Sequence, residues 1–212
     1  MLNKNQIASN LLKINAVTLS PKKPYAWSSG MKSPIYTDNR QILGYPKFRR
    51  QIEDCLAKTI KENYPQANAI AGVATAGIAH AALVSERLNL PMIYVRSKPK
   101  DHGLGRQIEG HLPNHAKIVV IDDLISTGKS ALNAARAINK REPDAKVIGI
   151  IAIFTYKLVD STKNFRAMKM SLKTLTNYPT LIQQATDEHI ITPTDHNLLA
   201  KWRTDPWHWL NK

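Results

Sequence analysis

A single cysteine in 212 residues leaves no partner for an internal disulfide, so packing and hydrogen bonds alone must hold the fold. That residue, Cys55, lies in RRQIEDCLAKTI with Ile52, Leu56 and Ile60 on the same helical face, which predicts a packing role rather than a nucleophile. No apolar run approaches the roughly 18 residues of a membrane-spanning helix. The longest, residues 147–154, is strand-sized. The opening MLNKNQIASNLLKINAV lacks an uninterrupted apolar core and a small-residue cleavage site, so no secretory signal is read and a cytoplasmic location is expected. Repeats, low-complexity tracts and linkers are absent as well. Acids are scarce: 16 Asp and Glu stand against 30 Lys and Arg, giving a net charge of +14. Such a surface attracts polyanions. Aromatics are scarce too, with three Phe and seven Tyr, and the basic residues are spread along the chain. Nucleic-acid binding as the primary role would want them gathered and interleaved, so a phosphorylated small molecule is the better-fitting partner.

What is present is an alternation. Residues 69–74 (AIAGVA), 92–97 (MIYVRS), 117–121 (KIVVI) and 146–154 (KVIGIIAIF) read as strands, and residues 77–88 and 128–140 as helices between them. Near-continuous apolar strands separated by helices predict an α/β fold, a doubly wound, mainly parallel sheet with helices on both faces. The length suits one domain over residues 1–212. Within it, about 1–66 would form the first helices and a small hood, with one helix over about 46–63; about 67–156 the core sheet; and about 157–212 a C-terminal strand and helix region. Trp202, Trp207 and Trp209 are expected to pack onto the body. Residues 97–116, between two core strands but with little periodicity, form a connection long enough to be functional.

The chemistry concentrates in KIVVIDDLISTGKS. Asp122 and Asp123 follow Ile121, at the carboxyl end of a predicted parallel strand, where doubly wound sheets bind ligands. Two carboxylates with no neighbouring histidine or third acid make a poor metal cage, so no metal is assigned to side chains there. As acceptors, they suit hydroxyl donors such as the 2- and 3-hydroxyls of a ribose. From Leu124 and Ile125 the chain runs through Ser126, Thr127, Gly128, Lys129 and Ser130 into a helix, whose free amides and dipole favour a phosphate. A sugar phosphate satisfies both halves. A nucleoside-triphosphate loop ending in GKS is excluded, since position 123, where its first glycine belongs, is aspartate. A second cluster, Arg96, Lys98, Lys100, His102 and Arg106, is opposed only by Asp101 and interspersed with Gly103, Gly105 and Gly110. It reads as a cationic lid able to neutralise a multiply charged leaving group and exclude water.

Apolar strand, Asp-Asp, two apolar residues and Ser-Thr-Gly closely resembles the phosphoribosyl pyrophosphate signature of type I phosphoribosyltransferases. Three further stretches, YAWSSGMKSPIYTDNR (25–40), AGVATAGIAHAA (71–82) and YVRSKPKDHGLGRQIEG (94–110), look like successive blocks of that family's orotate branch, of the type common in Gram-positive bacteria. The likeness continues into IAIFTY and the late WRTDP, covering nearly the whole chain. It implies the type I phosphoribosyltransferase fold and transfer of ribose 5-phosphate from phosphoribosyl pyrophosphate to orotate, with Mg2+ carried mainly by pyrophosphate and ribose. It implies that Arg96, Lys100 and His102 join Asp122 to Ser130 in binding the donor, that Lys100, His102 and the acid pair serve catalysis, and that Ser126 touches orotate. It further implies a homodimer whose lid reaches the neighbouring subunit's site.

The turn at residues 74–77 could offer amides to pyrophosphate, or be a plain strand-to-helix turn. The pattern is broken where better-known members carry lysines, at Ser28 and Ala76, and an arginine after the strand ending IFTYK. Lys32, Arg40 and Lys157 are then the candidates for the orotate carboxylate, with His80 and His111 read as structural or solvated. The competing readings are a purine phosphoribosyltransferase, disfavoured by YAWSSGMKSPIY, and a donor-sensing nucleic-acid-binding regulator, disfavoured by an intact lid and acid pair.

Overall fold

The computed structural model of the chain describes residues 1–27, 30–98, 107–142 and 144–210. The elements run α1 (Lys4–Lys13), β1 (Val17–Leu19), β2 (Tyr25–Ala26), β3 (Lys32–Ser33), β4 (Ile35–Thr37), a 3-10 turn (Asn39–Gly44), α2 (Pro46–Asn63), β5 (Ala69–Val73), α3 (Ala76–Leu88) and β6 (Met92–Val95). They continue with β7 (Ile108–Gly110), β8 (Lys117–Ile125), α4 (Lys129–Arg141), β9 (Lys146–Thr155), α5 (Val159–Ala167), β10 (Leu172–Asn177), α6 (Tyr178–Asp187) and α7 (Pro193–Thr204). Local chemistry sets several starts. Asn3 and Gln6 form a reciprocal capping box at α1, Thr192 and Asp195 another at α7, and Pro46 opens α2, where its missing amide costs nothing.

Six strands form one sheet in the order β10-β9-β8-β5-β6-β7, parallel throughout except for the edge strand β7. The period of two in β8 divides the core. Ile118 and Val120 join Ala135 and Ile138 of α4 on one face, whereas Val119 and Ile121 join Leu56 and Ile60 of α2 on the other. Each buried Val, Leu or Ile among them contributes roughly 1.5–3 kcal/mol. Cys55 is buried on that α2 face, as its spacing predicts. The four short N-terminal strands pair as two antiparallel ribbons, β1 with β4 and β2 with β3, outside the main sheet.

Three expectations change. Strand β8 does not stop at Ile121 but continues through both acids to Ile125, because β9 stays beside it as far as the pair Ile125 and Thr155. Trp202 and Trp209 are buried as expected, but Trp207 is 56% exposed. Within residues 97–116, 108–110 form β7 against β6, while Pro99 to Arg106 lie outside the described residues. His80 is structural: it is 1% exposed on α3, and burial, helped by the Arg49 charge, pulls its pKa down to about 4.

That depression has a sign. A histidine whose folded pKa lies below its unfolded value is stable when neutral, so its contribution is complete above about pH 6.5 and is lost as pH falls toward 4. The loss is on the order of 3 kcal/mol. Thermal denaturation at pH 7.5 and pH 5 should show a smaller drop for His80→Gln than for the parent chain. Equal drops would mean that His80 is not the titrating group.

Candidate active site

The site forms where β8 loses one neighbour. Strands β5 and β8 pair as far as Gly72 and Ile121, and beyond that point β8 pairs only with β9. The chain leaving β5 turns into α3 over the gap, and the strand order reverses direction here, which opens a crevice at the carboxyl ends. Gly77, in the first turn of α3, allows a close approach: a Cβ there would lie 2.6 Å from the Ile121 carbonyl oxygen and 3.2 Å from the Asp122 Cα. The Ala74-Thr75 peptide bond at this turn is cis, and Thr75 caps α3 with no side-chain hydrogen bond.

Asp122 and Asp123 stand in that gap. Asp122 is 6% exposed and its Oδ1 accepts the Asp123 amide at 2.9 Å. The Asp123 carbonyl accepts from Nδ2 of the buried Asn39 at 2.8 Å, fixing the strand end to the 3-10 turn. Burial, and for Asp122 also the adjacent Asp123 charge, pushes both carboxyls above the ordinary carboxylate range. Among the described residues no group of three or more His, Cys, Asp or Glu gathers into a metal cage.

Leu124 and Ile125 are the last residues of β8 rather than part of the loop, and the Ile125 carbonyl accepts the Tyr156 amide at 3.1 Å. The turn proper is Ser126, Thr127 and Gly128. Gly128 takes φ +80 and caps α4 with no side-chain hydrogen bond, so the first amides of that helix, beginning at Lys129 and Ser130, are available to an anion. Asn164 Nδ2 donates to the Thr127 carbonyl at 2.9 Å, clamping the turn from α5. Arg96 follows β6, its backbone amide donating to the Gln107 carbonyl and its own carbonyl accepting from Gln107 Nε2. Its Nη1 is buried with no hydrogen-bond partner among the described residues, the state of a cation awaiting an acceptor. Lys100 and His102 lie outside the described residues, as do Arg106 and Ser28.

Beside the turn opens a cavity of about 960 Å3. Ser126, Thr127 and Lys129 line one part; Trp27 just after β2, Tyr36 and Thr37 of β4, Tyr156 after β9, and residues 203–207 at the end of α7 and just beyond it line the rest. Lys32, Arg40 and Lys157 do not line it. Lys32 and Lys157 are exposed, and Arg40 is drawn to Asp38. His111 is exposed. Sequence reasoning missed Asn39, Asn164, Tyr156 and Arg203. Only the late WRTDP block carried a signal for the last of these.

A family model described as the phosphoribosyl transferase domain matches residues 38–182. The orotate phosphoribosyltransferase of Levilactobacillus brevis is 53% identical over 211 residues, covering 100% of both chains. That of Enterococcus faecalis is 52% identical over 204 residues and 96% of each chain. Among solved structures, the orotate phosphoribosyltransferase of Aeropyrum pernix superposes with a TM-score of 0.74 at 27% identity, covering 84% of this chain and 97% of that one.

Proposed function

Because the chain belongs to the phosphoribosyl transferase family, within its orotate phosphoribosyltransferase branch, we propose a division of labour among its residues for that reaction. The enzyme transfers ribose 5-phosphate from phosphoribosyl pyrophosphate to orotate: the bond from ribose C1 to pyrophosphate oxygen breaks, one from C1 to an orotate ring nitrogen forms, and the N–H bond of that nitrogen breaks as its proton passes to water or to the departing pyrophosphate. The observation that carries the assignment is the acid pair in the gap between β5 and β8, followed by a short turn into a helix that has no side-chain cap.

Asp122 and Asp123 accept hydrogen bonds from the ribose 2- and 3-hydroxyls and steady the sugar as positive charge develops at C1. The amides of the turn from Ser126 to Ser130 hold the 5-phosphate, which fixes C1 over the cavity. Ser126, on the cavity wall, meets the base. Arg96 offers its unpartnered buried Nη1 to pyrophosphate, and Lys100 and His102 of the lid complete that neutralisation. The lid serves the neighbouring subunit of a homodimer. Magnesium fits this donor set as an ion held mainly by substrate oxygens with Asp122 and Asp123 nearby, since it is commonly bound through one or two carboxylates plus phosphates. It supplies charge neutralisation on pyrophosphate. Residues 1–66 act as the hood of one domain. No helix among the described residues is long and apolar enough to cross a membrane, which accords with a cytoplasmic enzyme.

Purified protein with Mg2+ and phosphoribosyl pyrophosphate should deplete the ultraviolet absorbance of orotate and leave adenine, hypoxanthine and uracil untouched. Turnover of a purine, or no turnover together with RNA binding that weakens steeply with salt, overturns the reading.

A further inference from the structure

We propose that Arg203, in the last turn of α7, reads the carboxylate of the pyrimidine base, so that this chain draws base specificity from its C-terminal segment. The inference rests on the orotate reading and names the residue that carries it.

Orotate brings a planar ring and one negative charge into a pocket that must tell it from neutral pyrimidines. Among the described residues, the only cations lining the cavity are Lys129 and Arg203. Lys129 begins α4 and belongs to the turn that takes the 5-phosphate. Arg203 arrives from another element and is half-buried. Its Nη1 donates to the Lys157 carbonyl at 3.5 Å, so the guanidinium is tethered just beyond the end of β9, where the family's arginine is missing. No carboxylate pairs with it among the described residues. Of the two acids that share the cavity wall, Asp205 already holds His208 Nδ1 at 3.0 Å, and Asp160 opens α5. A guanidinium tethered by one nitrogen keeps enough N–H groups for a two-pronged grip on a carboxylate.

The neighbours of Arg203 hold it in place. Trp202 is fully buried and packs edge-on against Trp27 and Tyr156, with ring centroids 5.8 and 5.7 Å away. Trp209 Nε1 donates to the Lys32 carbonyl at 3.0 Å, tying the segment beyond α7 to the N-terminal ribbon. Trp27 and Tyr156 therefore do two things: they anchor the residue before Arg203 and present aromatic walls to a flat ring.

Steady-state kinetics should be measured for the parent chain, R203Q and R203K, varying orotate and phosphoribosyl pyrophosphate separately. A lost charge-assisted hydrogen bond predicts an orotate KM raised by about 10- to 100-fold in R203Q. The KM for phosphoribosyl pyrophosphate should stay within about twofold, and R203K should recover part of the loss because it keeps the charge without the fork. On the unaltered chain, orotate should protect Arg203 from phenylglyoxal, read by peptide mass, and uracil should protect it less; this measurement stands even if R203Q does not fold. A parent chain inactive on orotate overturns the reading and the inference together. An active parent whose R203Q variant keeps its orotate KM, or whose Arg203 is not protected, overturns the inference alone.

Discussion

Replacing Asp122 and Asp123 together by asparagine is expected to lower kcat by about two to four orders of magnitude while leaving the chain folded and no less stable. The catalytic loss follows from the change of acceptor: a neutral amide offers a weaker oxygen to a hydroxyl and no charge to a sugar becoming positive. Folding survives because Asn is nearly isosteric with Asp and its Oδ1 can still accept the Asp123 amide that Asp122 Oδ1 accepts at 2.9 Å. Stability goes the other way. Both carboxyls have folded pKa values raised above the unfolded 3.8, so between those values the folded state binds more protons than the unfolded chain, and stability falls as pH rises through the folded values. At neutral pH, where the unfolded carboxyls are ionised, holding this pair in the fold is a burden that Asn removes. The melting temperature should rise, by about 2–4 °C for each kcal/mol relieved in a domain of this size. The same carboxyls place the acid limb of kcat/KM for phosphoribosyl pyrophosphate above the usual carboxylate range, with apparent values belonging to the pair. A variant that keeps a tenth of parental turnover, or that unfolds, makes the pair structural.

Much of this site was legible because its cause is local. The runs in β5, β8 and β9 are apolar on both faces, which only a sheet covered on both sides tolerates, and the α2 spacing is an ordinary helical stripe. Asp122 and Asp123 interrupt the apolar run of β8, so a reading by hydrophobicity ends the strand at Ile121. The backbone ladder obeys a different rule and goes on while β9 is beside it. Strand β7 has three residues, one of them Glu109 and one Gly110 at φ +109, and carries almost no periodic signal. The walls of the cavity were less legible still. Arg203 reaches Lys157 across 46 positions, Asn39 reaches Asp123 across 84 and Trp209 reaches Lys32 across 177, and nothing in the spacing of a single sequence announces such meetings. Trp207 looked like its neighbours by composition, yet faces solvent at the cavity's rim.

Gly128→Ala should produce the largest loss of stability among single changes in the donor turn, about 2–4 kcal/mol, with the KM for phosphoribosyl pyrophosphate raised at least about tenfold. Two costs add. The first is conformational: φ +80 lies in the left-handed region, where a Cβ costs roughly 1–2 kcal/mol. The second is spatial: a Cβ there would lie 2.5 Å from Cε2 of Phe165, a ring that is 6% exposed and packed into the core face shared with Leu132 and Ile138. That ring cannot swing away without opening the packing of α5, whose Asn164 holds the Thr127 carbonyl. Displacing either partner moves the amides that would hold the 5-phosphate, so affinity and stability fall together. Gly30→Ala separates the two costs. Gly30 has nearly the same backbone angle, φ +82, and a Cβ there would meet nothing within 4 Å among the described residues, so it should lose only the conformational share and leave the donor KM unchanged. Denaturant melts of both variants give the ring's share by subtraction. If Gly128→Ala is no worse than Gly30→Ala, Phe165 yields easily, and the donor turn is not braced from α5.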